Sequence, residues 1–121
     1  MVRELVRARA YVLPSFIENS PNSLAEAMLV GTPSVAAFVG GVPSLAAEGN
    51  ETLFFPAGDA VLLAERLRRL LEDDSLALTL SENARRQAHA RHDPERIVRQ
   101  VVSIYHSVLG ESRAANEKVT A

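Results

Sequence analysis

The sequence has no cysteine, no long apolar run and no excess of basic residues. The absence of cysteine excludes disulfides and cysteine-based metal sites, and it fits a reducing compartment. No apolar run approaches the ~20 residues that a membrane-spanning helix needs. The formal net charge of −2 provides no basic field for nucleic acid or an anionic membrane. The first residues mix acidic and basic side chains, unlike a secretory signal peptide.

The rest of the composition is that of an ordinary globular protein. The 121 residues are 47% hydrophobic and 23% charged. A chain of this length buries about two-thirds of its unfolded surface. We therefore expect one small domain with a hydrophobic core.

Three short apolar segments alternate with helical ones in the first half of the chain. Strands are predicted at residues 11–15, 34–38 and 51–55. The second is apolar without alternation, which is typical of a parallel strand covered on both faces. Short right-handed crossovers step one strand at a time, so the pattern predicts an α/β fold with a parallel sheet in chain order.

Several helices are predicted around these strands. Gly31 ends one of them in a left-handed cap, Pro43 opens a short one, and Asp59 caps a longer one. A further helix has one apolar face and ends before Gly110, which leaves residues 111–121 as a polar tail that is disordered or frayed. The predicted helices are residues 3–9, 22–30, 43–48, 60–72, 75–91 and 94–109, the last with Ile97, Val101, Ile104, Tyr105 and Val108 on its apolar face.

Two glutamates flank the loop that leads into the helix at 22–30. Glu18 lies in the loop, and the pattern predicts that the helix starts near Asn22 or Ser23 with Glu26 in its first turn. A helix N-terminus suits a phosphate, and nearby carboxylates can accept hydrogen bonds from sugar hydroxyls. This favours a site for a phosphorylated sugar or a nucleotide-sugar. The alternative is an S-x-x-E capping box, in which Glu26 only closes the cap with Ser23.

The string around the two glutamates resembles a known motif. Glu18, seven residues and then Glu26-Ala-Met resemble the E-x7-E motif of the retaining GT-B glycosyltransferases of group 1. The flanking segments agree with that family in order and spacing along about residues 4–109. These segments are Val-Leu-Pro-Ser at 12–15, Gly-Thr-Pro at 31–33, Gly-Gly-Val-Pro at 40–43 and Pro-Ala-Gly-Asp at 56–59. The loop version resembles members that build capsular or surface polysaccharides.

The resemblance implies a role for each residue of the motif. Glu26 would hold the ribose hydroxyls of the nucleotide, as a carboxylate can accept two of them. Glu18 would be the catalytic residue, beside the transferred sugar and the positive charge that develops there. The backbone of Asn22, Ser23 and Leu24 would meet the phosphates and the sugar. Pro21 lacks an N–H donor, so the hydrogen bonds differ in detail from members with small residues here. No metal or other cofactor is implied.

The resemblance also implies an architecture and partners. Residues 1–110 would be part of a nucleotide-sugar donor-binding domain, the C-terminal half of a GT-B enzyme with a partial Rossmann-like fold. A Gly-rich turn, a basic pair and an N-terminal acceptor domain would lie upstream, and the fragment alone would be inactive. The parent enzyme would be cytoplasmic, with peripheral association with the membrane as an alternative. We expect the fragment to dimerise through the strand edge near residues 11–13 or by exchange of the helix at 94–109.

Other functions remain open from the residues alone. The chain could be a non-catalytic nucleotide- or phosphosugar-binding module, or an interaction domain. Gly40-Gly41 could pass close to a donor sugar or simply form a turn. His89 and His92 could share a face, but no third metal ligand is in view. The basic residues Arg66, Arg68, Arg69, Arg85 and Arg86 are expected to form a solvated helix face, with an anionic lipid or polymer as the alternative.

Overall fold

The structure is a computed structural model that describes residues 1–119, with side chains described as far as residue 110. It divides into two compact units, residues 1–90 and residues 91–121. No helix within the described residues is both long and apolar enough to cross a membrane.

A three-stranded parallel sheet lies at the centre of the first unit. Its strands are β1 (Tyr11–Leu13), β2 (Ser34–Ala37) and β3 (Leu53–Phe55), in the sheet order β1-β2-β3. Tyr11 lies opposite Ser34, and Ala36 lies opposite Phe54. The predicted order and direction are therefore confirmed, although each strand is shorter than predicted.

The helices of the first unit flank these strands. Helix α1 (Val2–Arg7) precedes β1, and α2 (Asn22–Val30) connects β1 to β2. Gly31 ends α2 in the left-handed conformation, with φ of 88°, as the sequence predicts. Helices α3 (Ala60–Glu72) and α4 (Asp74–Arg91) follow β3.

Apolar side chains cover both faces of the sheet. One cluster joins α2 to the segment after β2 through Leu24, Met28, Val42 and Leu45, together with Ala84 of α4. This places α2 and the short helical segment at 42–44 on the same face, as predicted. The second cluster joins Val35 and Phe55 to Leu70 of α3 and Leu80 of α4. Leu63 and Leu67 of α3 also pack against this second cluster, whereas Leu71 is exposed.

Side-chain caps fix the starts of α3 and α4. Asp59 Oδ1 accepts a hydrogen bond from the Leu62 N–H at 2.8 Å, which confirms the predicted cap. Asp73 Oδ1 accepts one from the Leu76 N–H at 2.9 Å. Because Asp73 provides this cap, α4 begins at Asp74 rather than at Ser75.

The turn after α2 joins several distant parts of the first unit. The Gly31 carbonyl accepts a hydrogen bond from Ser81 Oγ of α4 at 2.5 Å. Thr32 Oγ1 donates to the Leu5 carbonyl of α1 at 2.8 Å. Ser34 Oγ donates to Thr52 Oγ1 at 2.9 Å. Hydrogen bonds at this one turn therefore connect segments that lie 18 to 50 residues apart in sequence.

The predicted helix at 3–9 ends at Arg7, and two other predicted helices differ more strongly from the structure. Only a 3-10 turn forms at Val42–Ser44 in place of the helix at 43–48. The second unit contains α5 (Pro94–Val119), which continues past Gly110 instead of ending there. Fraying of residues 111–121 stays a prediction: residues 111–119 are helical in the structure, and 120–121 lie outside the described residues.

Candidate functional site

The motif residues lie beyond the carboxyl ends of β1 and β2. The loop after β1 carries Glu18, and the turn after β2 carries Gly40 and Gly41. The backbone N–H of Gly41 donates to the Glu18 carbonyl at 3.0 Å, which joins the two segments. In open parallel sheets, ligands bind in the crevice outside the carboxyl ends of the strands. The location therefore suits a ligand site.

The carboxylate of Glu18 is held by a neighbouring hydroxyl. Ser15 Oγ donates a hydrogen bond to Glu18 Oε1 at 2.7 Å in a partly buried position. The second carboxylate oxygen, Oε2, forms no hydrogen bond within the described part of the chain. Glu18 is thus oriented on one oxygen and able to accept a hydrogen bond on the other.

The Gly40-Gly41 pair explains how the Glu18 loop comes so close. A Cβ added to Gly40 would lie 1.8 Å from the Glu18 carbonyl oxygen, and one added to Gly41 would lie 1.6 Å from that of Asn19. Gly40 also has a φ of +49°, which side chains disfavour. The pair forms the predicted turn, and its further role is to let two backbones meet.

Helix α2 starts at Asn22, as predicted, but its cap and the position of Glu26 differ from the prediction. Pro21 is the N-cap and no side chain caps the helix, so Asn22 is the first helical residue. Glu26 consequently lies beyond the first turn, and the Ser23–Glu26 capping box does not form. The reason is that Pro21, and not Ser23, occupies the N-cap position. Ser23 lies inside the helix, where its Oγ accepts a hydrogen bond from the Tyr11 hydroxyl at 2.7 Å.

The remaining site residues are distributed along the first turns of α2. The N–H groups of Leu24 and Ala25 donate to the Pro21 carbonyl at 3.1 and 3.2 Å, inside the helix. Those of Asn22 and Ser23 precede the first intrahelical bond, so they are the N–H groups available to a ligand. Leu24 is fully buried, so its side chain serves the core.

The carboxylate of Glu26 is uncommitted. It is half-buried and forms no hydrogen bond or ion pair within the described residues. No such bond joins it to Glu18 either. Ser23 and Glu26 are three residues apart in α2, so they share one face of the helix. A half-buried carboxylate without a partner is costly unless a donor satisfies it.

The other candidates give no site. Among the side chains that the structure describes, residues 1–110, no group of three or more histidine, aspartate or glutamate residues could hold a metal ion. Arg66 is not part of a solvated face, because its side chain is 23% exposed and pairs with Glu48. Arg68 and Arg69 are exposed as predicted.

Two residues of the site have roles that the sequence analysis missed. Ser15 orients Glu18, and Tyr11 ties β1 to the first turn of α2. A hydroxyl three residues before a loop carboxylate is a signal that could have indicated the first contact. The second contact depends on the packing of a strand beneath a helix, which no local spacing reveals.

Comparison with solved structures identifies proteins of the same architecture. Over 85% of this chain and 29% of theirs, it resembles Anabaena Alr3699/HepE in complex with UDP, with a TM-score of 0.81 and 28% identity. It also resembles sucrose-phosphate synthase from Thermosynechococcus elongatus, with a TM-score of 0.79 and 33% identity over 85% of this chain and 26% of that one. The α/β fold with a parallel sheet and C-terminal helices is thus shared with GT-B glycosyltransferases.

Sequence comparison gives the same result. N-acetyl-alpha-D-glucosaminyl L-malate synthase of Bacillus anthracis is 32% identical over 90 residues, which are 74% of this chain and 24% of that protein. The chain spans about a quarter of the length of the curated relatives it matches. The model of the family "Glycosyl transferases group 1" matches residues 1–87. The chain therefore belongs to the group 1 glycosyltransferases.

Proposed function

We propose that this chain is the donor-binding portion of a glycosyltransferase that moves a hexose from a nucleoside diphosphate sugar to a saccharide acceptor. The anomeric configuration would be retained, and no bound metal would be needed. The chain alone would bind the nucleotide weakly and would not transfer sugar. The acceptor would be bound by a part of the enzyme outside these residues.

The uncommitted carboxylate of Glu26 is the observation that carries the proposal. It lies on the same face of α2 as Ser23 and is half-buried without a partner in the described residues. Two vicinal hydroxyls of a ribose would supply the missing donors in one contact. A structural carboxylate would instead be expected to bond to the backbone or to a basic side chain.

The phosphates of the donor fit the start of α2. The N–H groups of Asn22 and Ser23 precede the first intrahelical hydrogen bond, and the helix dipole favours negative charge there. The hydroxyl of Ser23 accepts its hydrogen bond from Tyr11, so its own proton remains available for a phosphate oxygen. The missing N–H of Pro21 does not matter here, since Pro21 is the N-cap.

Glu18 fits a role at the transferred sugar. Ser15 fixes one carboxylate oxygen, and the Gly40-Gly41 turn fixes the loop. The second oxygen can then accept from a sugar hydroxyl or stabilise positive charge at the anomeric carbon. Catalysis of this kind rests on positioning and on electrostatic stabilisation rather than on an added cofactor.

The solved relatives support a uridine nucleotide and a hexose. Alr3699/HepE has been solved with UDP and with UDP-glucose, and it resembles this chain at 28% identity in each case. UDP is therefore the first ligand to test, with GDP beside it. The acceptor and the linkage belong to the complete enzyme.

NMR titration of the labelled chain with UDP or GDP tests the proposal. We expect shifts centred on residues 18–26 and a dissociation constant of about 1 mM or weaker, about −4 kcal/mol. Glu26→Ala should remove most of the binding. Glu82→Ala is the matched control, because Glu82 is an exposed glutamate of another helix, α4.

Several outcomes would contradict the proposal. Shifts centred elsewhere, or binding that Glu26→Ala leaves unchanged, would remove the assigned site. Glycosyl transfer by this chain alone would refute its role as an inactive portion. Nucleotide binding without turnover in a longer protein that contains this chain would instead support a non-catalytic binding module.

A further inference from the structure

Strand β3 lies at the edge of the sheet, and its sequence favours aggregation. Thr52-Leu-Phe-Phe55 has no charge and is aromatic, with Glu51 before it and Pro56 after it. Short apolar segments of high β-propensity pair readily with copies of themselves. An edge strand also presents a row of unpaired N–H and C=O groups, which is a template for such pairing.

The outward backbone groups of β3 are nevertheless satisfied. Successive residues of a strand face opposite neighbours, and the Phe55 carbonyl accepts from the Phe38 N–H of the β2 side at 2.9 Å. Phe54 therefore faces away from β2. Its N–H donates to Glu48 Oε2 at 2.5 Å, and its carbonyl accepts from Arg66 Nε at 3.2 Å.

The side chains that contact Phe54, those of Glu48 and Arg66, also interact with each other. Arg66 and Glu48 form an ion pair at 3.4 Å, with exposures of 23% and 47%. Immediately before β3, the Thr52 carbonyl accepts from the Gly49 N–H at 2.8 Å, and the Thr52 N–H donates to the Ala47 carbonyl at 3.4 Å. These contacts occupy every backbone group that β3 would offer to a further strand between Thr52 and Phe54.

At the opposite edge of the sheet, the outward backbone groups of β1 have no such partners among the described residues. By the same alternation, Val12 of β1 faces away from β2, because the Tyr11 N–H donates to Pro33 on the β2 side at 2.8 Å. No described strand lies beyond β1. Both edge strands are apolar and short. They differ in whether their outward backbone N–H and C=O groups have hydrogen-bond partners.

We propose that Glu48 and Arg66 form a bracket that closes the outer edge of β3 against pairing with a second copy of this chain. The bracket has a consequence for the size of assemblies. With β1 alone open, two copies can pair and stop. With both edges open, every added copy presents a new edge, and growth continues. The bracket thus protects the protein from open-ended assembly.

Amide hydrogen exchange at Phe54 tests the bracket directly. In the wild-type chain the Phe54 amide should exchange slowly, in spite of its place on an edge strand. Combined Glu48→Ala and Arg66→Met should accelerate it by about tenfold or more, because a hydrogen bond to a charged acceptor is lost. The amide of Phe55, which faces β2, should stay protected and so report that the fold is intact.

A second readout follows assembly. Light scattering across a concentration series should show the bracket variant growing beyond the size of the wild type. Arg68→Met is the matched control, since Arg68 is an exposed arginine of the same helix that pairs with Glu72 at 3.3 Å. It should match the wild type in both measurements.

The milder variant Glu48→Gln keeps an oxygen that can accept the Phe54 N–H. It should therefore exchange Phe54 more slowly than Glu48→Ala, and it serves if the double variant loses Phe55 protection. Fast exchange of Phe54 in the wild type would overturn the proposal. So would a folded double variant that assembles no further than the Arg68→Met control.

Discussion

Replacing Gly40 by alanine should destabilise the protein through one identifiable clash. The new Cβ would lie 1.8 Å from the Glu18 carbonyl oxygen, and contacts below 3.0 Å are essentially never seen for a real Cβ. The loop must therefore move by at least the difference, 1.2 Å. Such a movement removes the hydrogen bond from the Gly41 N–H to Glu18.

The expected cost has three parts. A positive φ costs an alanine about 1–2 kcal/mol. Forced overpacking costs about 1–3 kcal/mol, and the lost hydrogen bond about 1 kcal/mol. Gly49→Ala isolates the first part, because Gly49 has a φ of +70° and nothing within 4 Å of its added Cβ.

Urea denaturation of both variants provides the measurement. We expect Gly40→Ala to lower the free energy of unfolding by about 2–4 kcal/mol more than Gly49→Ala, the share due to overpacking and the lost hydrogen bond. The amide shifts of residues 15–19 should change in the first variant and stay fixed in the second. Equal destabilisation by the two substitutions would refute the close approach of the two backbones.

Three further substitutions test separate parts of the fold. Met28→Ala should lower the free energy of unfolding by about 2–5 kcal/mol, because Met28 is 2% exposed, whereas Val61→Ala at an 83% exposed site should change it little in the same urea titration. Asp59→Ala should cost about 1 kcal/mol by removing the cap of α3, measured by thermal unfolding, and no loss would mean that the cap is not formed in solution. Gly110→Ala should stabilise α5 locally by up to about 1 kcal/mol and so raise the helix content measured by circular dichroism. A fall in helix content would place the end of α5 at Gly110.

Much of the sheet was predictable because its signals are local. The strands are apolar runs bounded by turn residues, and connections as short as these leave one parallel order. Gly31 and Asp59 mark helix ends by chemistry that acts within one turn. The predictions that depended on these residues are confirmed.

The errors arise where a contact overrides the local pattern. The segment after Pro43 does not continue as a helix, because the Ala47 N–H donates to Glu51 Oε2 at 2.8 Å and the chain turns there. Asn50 also donates to Glu51. Helix α5 continues past Gly110 because a glycine costs a helix only about 1 kcal/mol, and no proline follows to stop it.

The site was predictable in its residues but not in its geometry. The spacing of Glu18 and Glu26 locates the loop and the helix that carry them. It does not reveal that Pro21 occupies the N-cap position or that the Tyr11 hydroxyl donates a hydrogen bond to Ser23 Oγ. Both facts depend on how the strand packs beneath the helix.

The turn after α2 has a consequence for the order in which the protein is made. Its Gly31 carbonyl is covered by Ser81, 50 residues later in the chain. A ribosome adds about 5–20 residues per second, so the turn and the sheet wait a few seconds for α4 to emerge. Arg66 emerges earlier and can reach the Phe54 carbonyl while α4 is still being synthesised. In the nascent chain, the outer edge of β3 would thus be covered before α4, the last helix of the first unit, completes the hydrophobic core.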